Sequence, residues 1–264
     1  MTIDDVVLVE VADQVATVTL HRPEARNALN RDLRRAIPRA MLELDQRDDV
    51  AAIVLTGADP AFCAGIDLKE LAGAAGGDAS EIVSAGEPNG RRRGPFPDMD
   101  KPVIGAINGV AITGGFELAL ACDFLVASER ARFADTHARV GIMPGWGLTV
   151  LLPEAVGFRR AKELSTSGNF LDATTALQWG LVNHVVPHEE LLPFARSLAA
   201  DIAGVDGAAV RRMLATYDEG ALVDGARAWD LEAEVSDAWL AGGLDPATVE
   251  ANRRAVVARG RTQV

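Results

Sequence analysis

Residues 101–147 constrain this chain more than any other stretch: KPVIGAINGVAITGGFELALACDFLVASERARFADTHARVGIMPGWG. Val103 to Ile107 is an apolar run with β-branched residues, the pattern of a buried strand. Asn108-Gly109 breaks it, and Gly114-Gly115 opens FELALAC, a segment suited to a helix. A glycine pair at a helix start leaves backbone N–H groups bare, where the helix dipole favours negative charge. Glu117 follows about one turn after Gly114 and so shares roughly its face. An oxyanion donor beside an acid/base carboxylate is equipment for chemistry next to a carbonyl. The plainer alternative is a turn followed by a carboxylate that pairs with the dipole. A capping box fits poorly, because Thr113 would need Glu at position 116 and Phe116 stands there.

Around this stretch the pattern is β/α first and helical last. Val6–Glu10 and Val15–Leu20 read as strands joined at Asp13-Gln14. HRPEARNALN is a loop, ended by Asn30 as the cap of a helix over Arg31–Gln46. Leu33, Ile37, Met41 and Leu44 give that helix its apolar face, and Pro38 should kink or restart it. Ala51–Thr56 reads as a buried strand. Ala61–Gly65 reads as a turn of small residues, serving either packing or close approach of a ligand to the backbone. Cys63 reads as a packing residue. Asp123–Ala127 is a strand, Gly145–Ala155 and Arg159–Ser167 are helices, and Ala173–Trp179 is a helix between Asp172 and Gly180. Val182–Val186 is a short strand. The expected division is a core over 1–195 carrying the site and a helical region over 196–264.

Composition excludes several function classes. The charge is 26 − 38 = −12, which argues against a general nucleic-acid surface and requires a local basic patch for any anionic ligand. Arg91, Arg92 and Arg93 form the densest basic run, in a loop from Ala72 to Asp100 whose tip is either solvated or a phosphate contact. Cys63 and Cys122 make neither a disulfide framework nor a zinc site. His21, His137, His184 and His188 lack metal-ligand spacing on a shared element, so no metal is expected. No apolar run reaches about 18 residues without charge, and MTIDDVVLVE is not a signal peptide. A cytoplasmic protein with no membrane span is expected.

AFCAGIDLKE (61–70) and KPVIGAINGVAITGGFELALACD (101–123) resemble the crotonase superfamily, typified by enoyl-CoA hydratase. HRPEARNALN, FADTHARVGIMPGWG and ALQWGLVNHVVP match it in order and spacing, so the likeness spans residues 5 to 190. The resemblance implies an α/β fold, a crotonase-like spiral of ββα turns with a helical C-terminal oligomerisation region that builds trimers or hexamers. It implies an acyl-CoA thioester substrate and no dissociable cofactor. It places the oxyanion-hole donors at Ala64 and Gly114, and the substrate against Ala25, Gly65, Ile66, Asp67, Gly145 and Trp146. Glu117 matches one catalytic glutamate of the hydratases. His137 stands where they carry the second, so it is either the acid/base partner or a hydrogen-bonded neighbour. Hydration of a 2-trans-enoyl-CoA is the expected activity; a double-bond isomerase and a non-catalytic acyl-CoA binder are the alternatives. Leu222 to Leu240, with Trp229 and Trp239, are expected at the oligomer interface.

Overall fold

The structure is a computed structural model that describes residues 2–3, 5–73 and 94–222, with isolated positions 237, 241, 247, 250, 253, 254 and 257. Arg91–Arg93, Trp229 and Trp239 therefore lie outside the described residues. Two sheets form its frame. The larger runs β1 (Thr2–Ile3), β2 (Val7–Ala12), β3 (Val15–Leu20), β4 (Ala52–Gly57), β6 (Val103–Ile107), β8 (Phe124–Ser128), β11 (His184–Val186). The smaller runs β10 (Leu171–Asp172), β9 (Arg132–Ala134), β7 (Val110–Ile112), β5 (Ala61–Cys63). Each successive ββ pair gives one strand to each sheet, and a helix then returns the chain: β4–β5, β6–β7 and β8–β9. All pairings among β3, β4, β6, β8 and β11 are parallel.

Parallel strands covered on both faces must be apolar throughout, and period two sorts their side chains. In β4, Ile53 and Leu55 join the main core, while Ala52 and Val54 join a second cluster on the opposite face. In β6, Val103 and Ile107 take the first side, Ile104 and Ala106 the second. Helix α1 (Arg31–Asp45) packs Leu33, Ile37, Met41 and Leu44 into the main core. Pro38 does not restart the helix, which runs unbroken from Arg31 to Asp45 because that buried face outweighs one missing hydrogen bond. The Asn30 side chain accepts from Leu33 N–H at 3.0 Å, and the buried Lys101 ammonium donates to the carbonyls of Leu44 and Arg47 near the far end.

Helix Leu191–Ala203 covers the second face with Leu191, Ala195 and Ala199. It runs unbroken across position 195/196, so the expected division falls inside an element of the core. Ala61–Cys63 is strand rather than turn, since its residues pair with β7. Asp172 and Gly180 bound the helix Ala173–Trp179 as expected, the Asp172 side chain accepting from Thr175 N–H at 2.7 Å. No described helix is long and apolar enough to cross a membrane.

The loop HRPEARNALN is held by one fully buried side chain. Asn27 has φ +55°, a left-handed conformation that asparagine tolerates better than most residues. Its Oδ1 accepts from Arg22 N–H, and its Nδ2 donates to the carbonyls of Ala58 and Ala61 at 2.8 and 2.7 Å. Asn27→Ala leaves the Arg22 amide and the Ala58 carbonyl without this partner, while the Ala61 carbonyl keeps its bond from Asn108 Nδ2 at 3.3 Å, and should cost about 2 kcal/mol. Urea unfolding of the variant checks this; a loss under about 1 kcal/mol would show that water replaces the side chain.

Candidate active site

The site begins with a contact that only glycine permits. A Cβ on Gly115 would lie 2.2 Å from the Cys63 carbonyl oxygen, so its absence lets the helix Gly114–Leu120 start directly against β5. Thr113 precedes that helix at φ +53°, ψ −117°, a strained conformation for a β-branched residue. Its N–H donates to the Ala134 carbonyl, and its hydroxyl bonds that of Thr136 at 2.5 Å. These ties hold the turn and aim the Gly114 amide away from the ladder.

Across from it, Gly65 at φ +85° reverses the chain after β5. Leu29 N–H donates to Gly65 O and Asp67 N–H to Leu29 O, at 2.8 and 3.2 Å. This bridge turns the intervening Ile66 amide outward, toward Gly114; Ile66 N lies 3.9 Å from where a Gly114 Cβ would stand. Neither the Ile66 nor the Gly114 amide has an acceptor among the described residues. The expected donor pair is corrected here: Ala64 N–H is committed to the Arg26 carbonyl at 3.0 Å, and Ile66 holds the position opposite Gly114.

Glu117 is 3% exposed one turn along the helix. Its Oε1 accepts from the amides of Gly145 and Trp146 at 3.2 and 2.8 Å, and its Oε2 lies 3.5 Å from His137 Nε2. The other ring nitrogen, Nδ1, lies 2.7 Å from Asp135 Oδ1. Burial of His137 disfavours its charge, but the negative charge of Glu117 and the hydrogen bonds to Asp135 and Glu117 outweigh that and raise its pKa to about 9. Burial likewise pushes Asp135 upward, and the bond to His137 with its charge wins and lowers it. Cys63 is no nucleophile: burial, only partly opposed by a hydrogen bond from the Gly65 backbone, lifts its thiol to about 12.

Leu29, Ile66, Gly114, Glu117, His137 and Trp146 line a cavity of about 20 Å³, room for about one water. Ile66 and Thr113 also line a cleft of about 770 Å³ bordered by Arg22, Ala25, Arg26, Ala64, Lys69 and Arg253. Its four cations outnumber its two lining carboxylates, Glu24 and Asp67, on a chain of charge −12. Trp146 shares a further cavity of about 310 Å³ with Phe96, Met99 and Leu151. Of the expected site residues, Ile66, Gly114, Glu117, His137, Gly145 and Trp146 line the small cavity, Ala25, Ala64 and Asp67 line the larger cleft, and Gly65 lines neither. Gly145 and Trp146 act through their amides on Glu117. Asp67 pairs with Arg22 at 3.2 Å and accepts from Lys69 N–H at the start of helix Leu68–Gly73. Asp135, the partner of His137, was not foreseen from the sequence, because D-x-H spacing alone does not fix which way the ring turns.

Residues 10–240 match the profile of the family described as enoyl-CoA hydratase/isomerase. A solved enoyl-CoA hydratase from Mycobacterium smegmatis is 48% identical, covering 90% of this chain and 99% of its own, with a TM-score of 0.80. A probable peroxisomal enoyl-CoA hydratase of Arabidopsis thaliana is 39% identical over 86% of this chain and 84% of that protein. The crotonyl-CoA hydratase of Syntrophomonas wolfei is 36% identical over 86% of this chain and 87% of its own length.

Gly115→Ala tests the contact on which the site is built. The methyl group would meet backbone, which cannot move as a side chain does, so stability should fall by about 2 kcal/mol. An unchanged unfolding midpoint would mean that the helix and β5 separate without cost.

Proposed function

This chain belongs to the enoyl-CoA hydratase/isomerase family, and we propose that it adds water across the double bond of a 2-trans-enoyl-CoA. The observation that carries the reading is the pairing of Glu117 Oε2 and His137 Nε2, 3.5 Å apart, on a cavity with room for one water beside two uncommitted amides. The thioester oxygen accepts from Ile66 and Gly114 N–H, which stabilise it most as it gains enolate charge. Glu117 takes a proton from the water as its oxygen bonds to Cβ, and the displaced electron pair moves onto the thioester oxygen. The enolate then collapses and Cα takes the Nε2 proton of the His137 imidazolium. Glu117 returns its proton to His137, which closes the cycle. A base and an acid are both present without a second carboxylate.

The nucleotide end of CoA is polyanionic, and in the cleft Arg22, Arg26, Lys69 and Arg253 outnumber the lining carboxylates Glu24 and Asp67, which supports a site for it on an acidic chain. CoA is part of the substrate in this reading, and no cofactor is required. Two free, buried thiols suit the reducing cytoplasm, a location that cell fractionation checks.

Glu117→Gln should retain acyl-CoA binding and lower kcat by about 10²–10⁴-fold, measured by chromatography of hydrated crotonyl-CoA. Because His137 works as the imidazolium, activity should fall as pH rises through about 9. His137→Gln should lose that limb together with most turnover. Migration of the double bond without hydrated product would favour the isomerase; binding with neither product would leave only a carrier.

A trimer or hexamer remains part of the reading. Helix Gly207–Leu222 presents Met213 and Tyr217, one turn apart and 58% and 73% exposed, an apolar pair suited to an interface. Sedimentation at micromolar concentration should give three or six times the chain mass. A monomer mass would remove the proposal.

A further inference from the structure

His137 lies between two carboxylates, and the mechanism above uses only one of them. Asp135 is 2% exposed. Its Oδ1 accepts twice from His137, from the backbone N–H at 3.1 Å and at ring Nδ1 at 2.7 Å. Ser165, on the helix Phe158–Ser167, hydrogen-bonds the same carboxylate. Asp135 does not line the water-sized cavity, whereas His137 and Glu117 do. A buried anion removed from the reacting atoms is costly unless it compensates a neighbouring charge, and the neighbour it faces is the imidazole.

We propose that Asp135 is a positioning residue that holds His137 doubly protonated, with the Nε2 proton directed into the cavity beside Glu117. The proposal deepens the hydratase reading and rests on His137 as the donor to Cα. Carboxylates accept and do not donate, so Asp135 makes Nδ1 a donor. Nε2 then faces a second acceptor, Glu117 Oε2, and both ring nitrogens are favoured in the N–H form. The rise of the His137 pKa to about 9 accords with this geometry.

The other charges near the ring leave this balance in place. Glu117 faces it from the helix Gly114–Leu120. Arg34 lines the cavity and pairs with Glu70 at 3.1 Å. Arg139, on the same short helix as His137, turns its guanidinium to the carbonyls of Ser167 and Gly168. The helix Phe158–Ser167 offers Ser165, which steadies the carboxylate.

Asp135→Asn is the informative variant, because its Oδ1 still accepts from the His137 backbone and ring while the charge is gone. NMR titration of the imidazole nitrogens, assigned with His137→Gln, reads His137 without any substrate. In the wild type it should titrate near 9, and in Asp135→Asn more than one unit lower. In crotonyl-CoA hydration the basic limb should move down by the same interval. Near pH 8, kcat should fall by about twofold for a shift of one unit and about tenfold for a shift of two, with KM within about twofold. Asp135→Glu should restore the limb, which a purely structural role would not require. A folded Asp135→Asn with titration and limb unchanged overturns the proposal. Should that variant not fold, a wild-type His137 titrating at or below the ordinary histidine value overturns it equally. The hydratase reading is judged apart, by whether the wild type hydrates crotonyl-CoA at all.

Discussion

The approach of Gly115 to the Cys63 carbonyl is the constraint on which the site depends. Helix and strand meet there backbone to backbone, at a distance that no side chain would allow. The contact brings the start of one helix alongside the end of β5, so the Ile66 and Gly114 backbones from two distant segments lie close together. It also places Glu117, one turn further on, within the core, where the Gly145 and Trp146 amides receive its carboxylate. The donors and the base are consequences of a single packing decision.

The charges that follow from that placement are unusual for a buried cluster. Two carboxylates and an imidazole lie in line, Asp135 to His137 to Glu117, each nearly excluded from water. Two anions around one cation leave a net negative charge, which two backbone amides and Ser165 share. An interior with no such donors would neutralise the group instead. In the proposed mechanism the same cluster holds His137 as the acid and Glu117 as the base.

Much of the scaffold was legible because its signals are local. The continuous apolar runs of β4 and β6, the Asn30 cap, and the Asp172 and Gly180 bounds of a short helix all depend on neighbours within a few residues. The helix continues through Pro38 for the opposite reason: the local cost is outweighed by a face that packs against strands far away in the chain. Ala61–Cys63 misled, since small residues read as a turn until β7 supplies hydrogen bonds.

At the site, the sequence by itself determined which groups were on offer: Gly114 beside Glu117, a small-residue loop before Asp67, and a histidine in place of the second glutamate. Spacing along a helix is enough to place Glu117 on the face of Gly114. Only the tertiary structure decided which amides remain uncommitted. Ala64 and Ile66 are two residues apart and indistinguishable as donors in sequence, but the Arg26 carbonyl takes one and the Leu29 bridge turns the other outward. Asp135 was equally silent, because a D-x-H pair says nothing of which way its ring will face. That direction is set by the burial of both groups against Glu117, a residue on another helix.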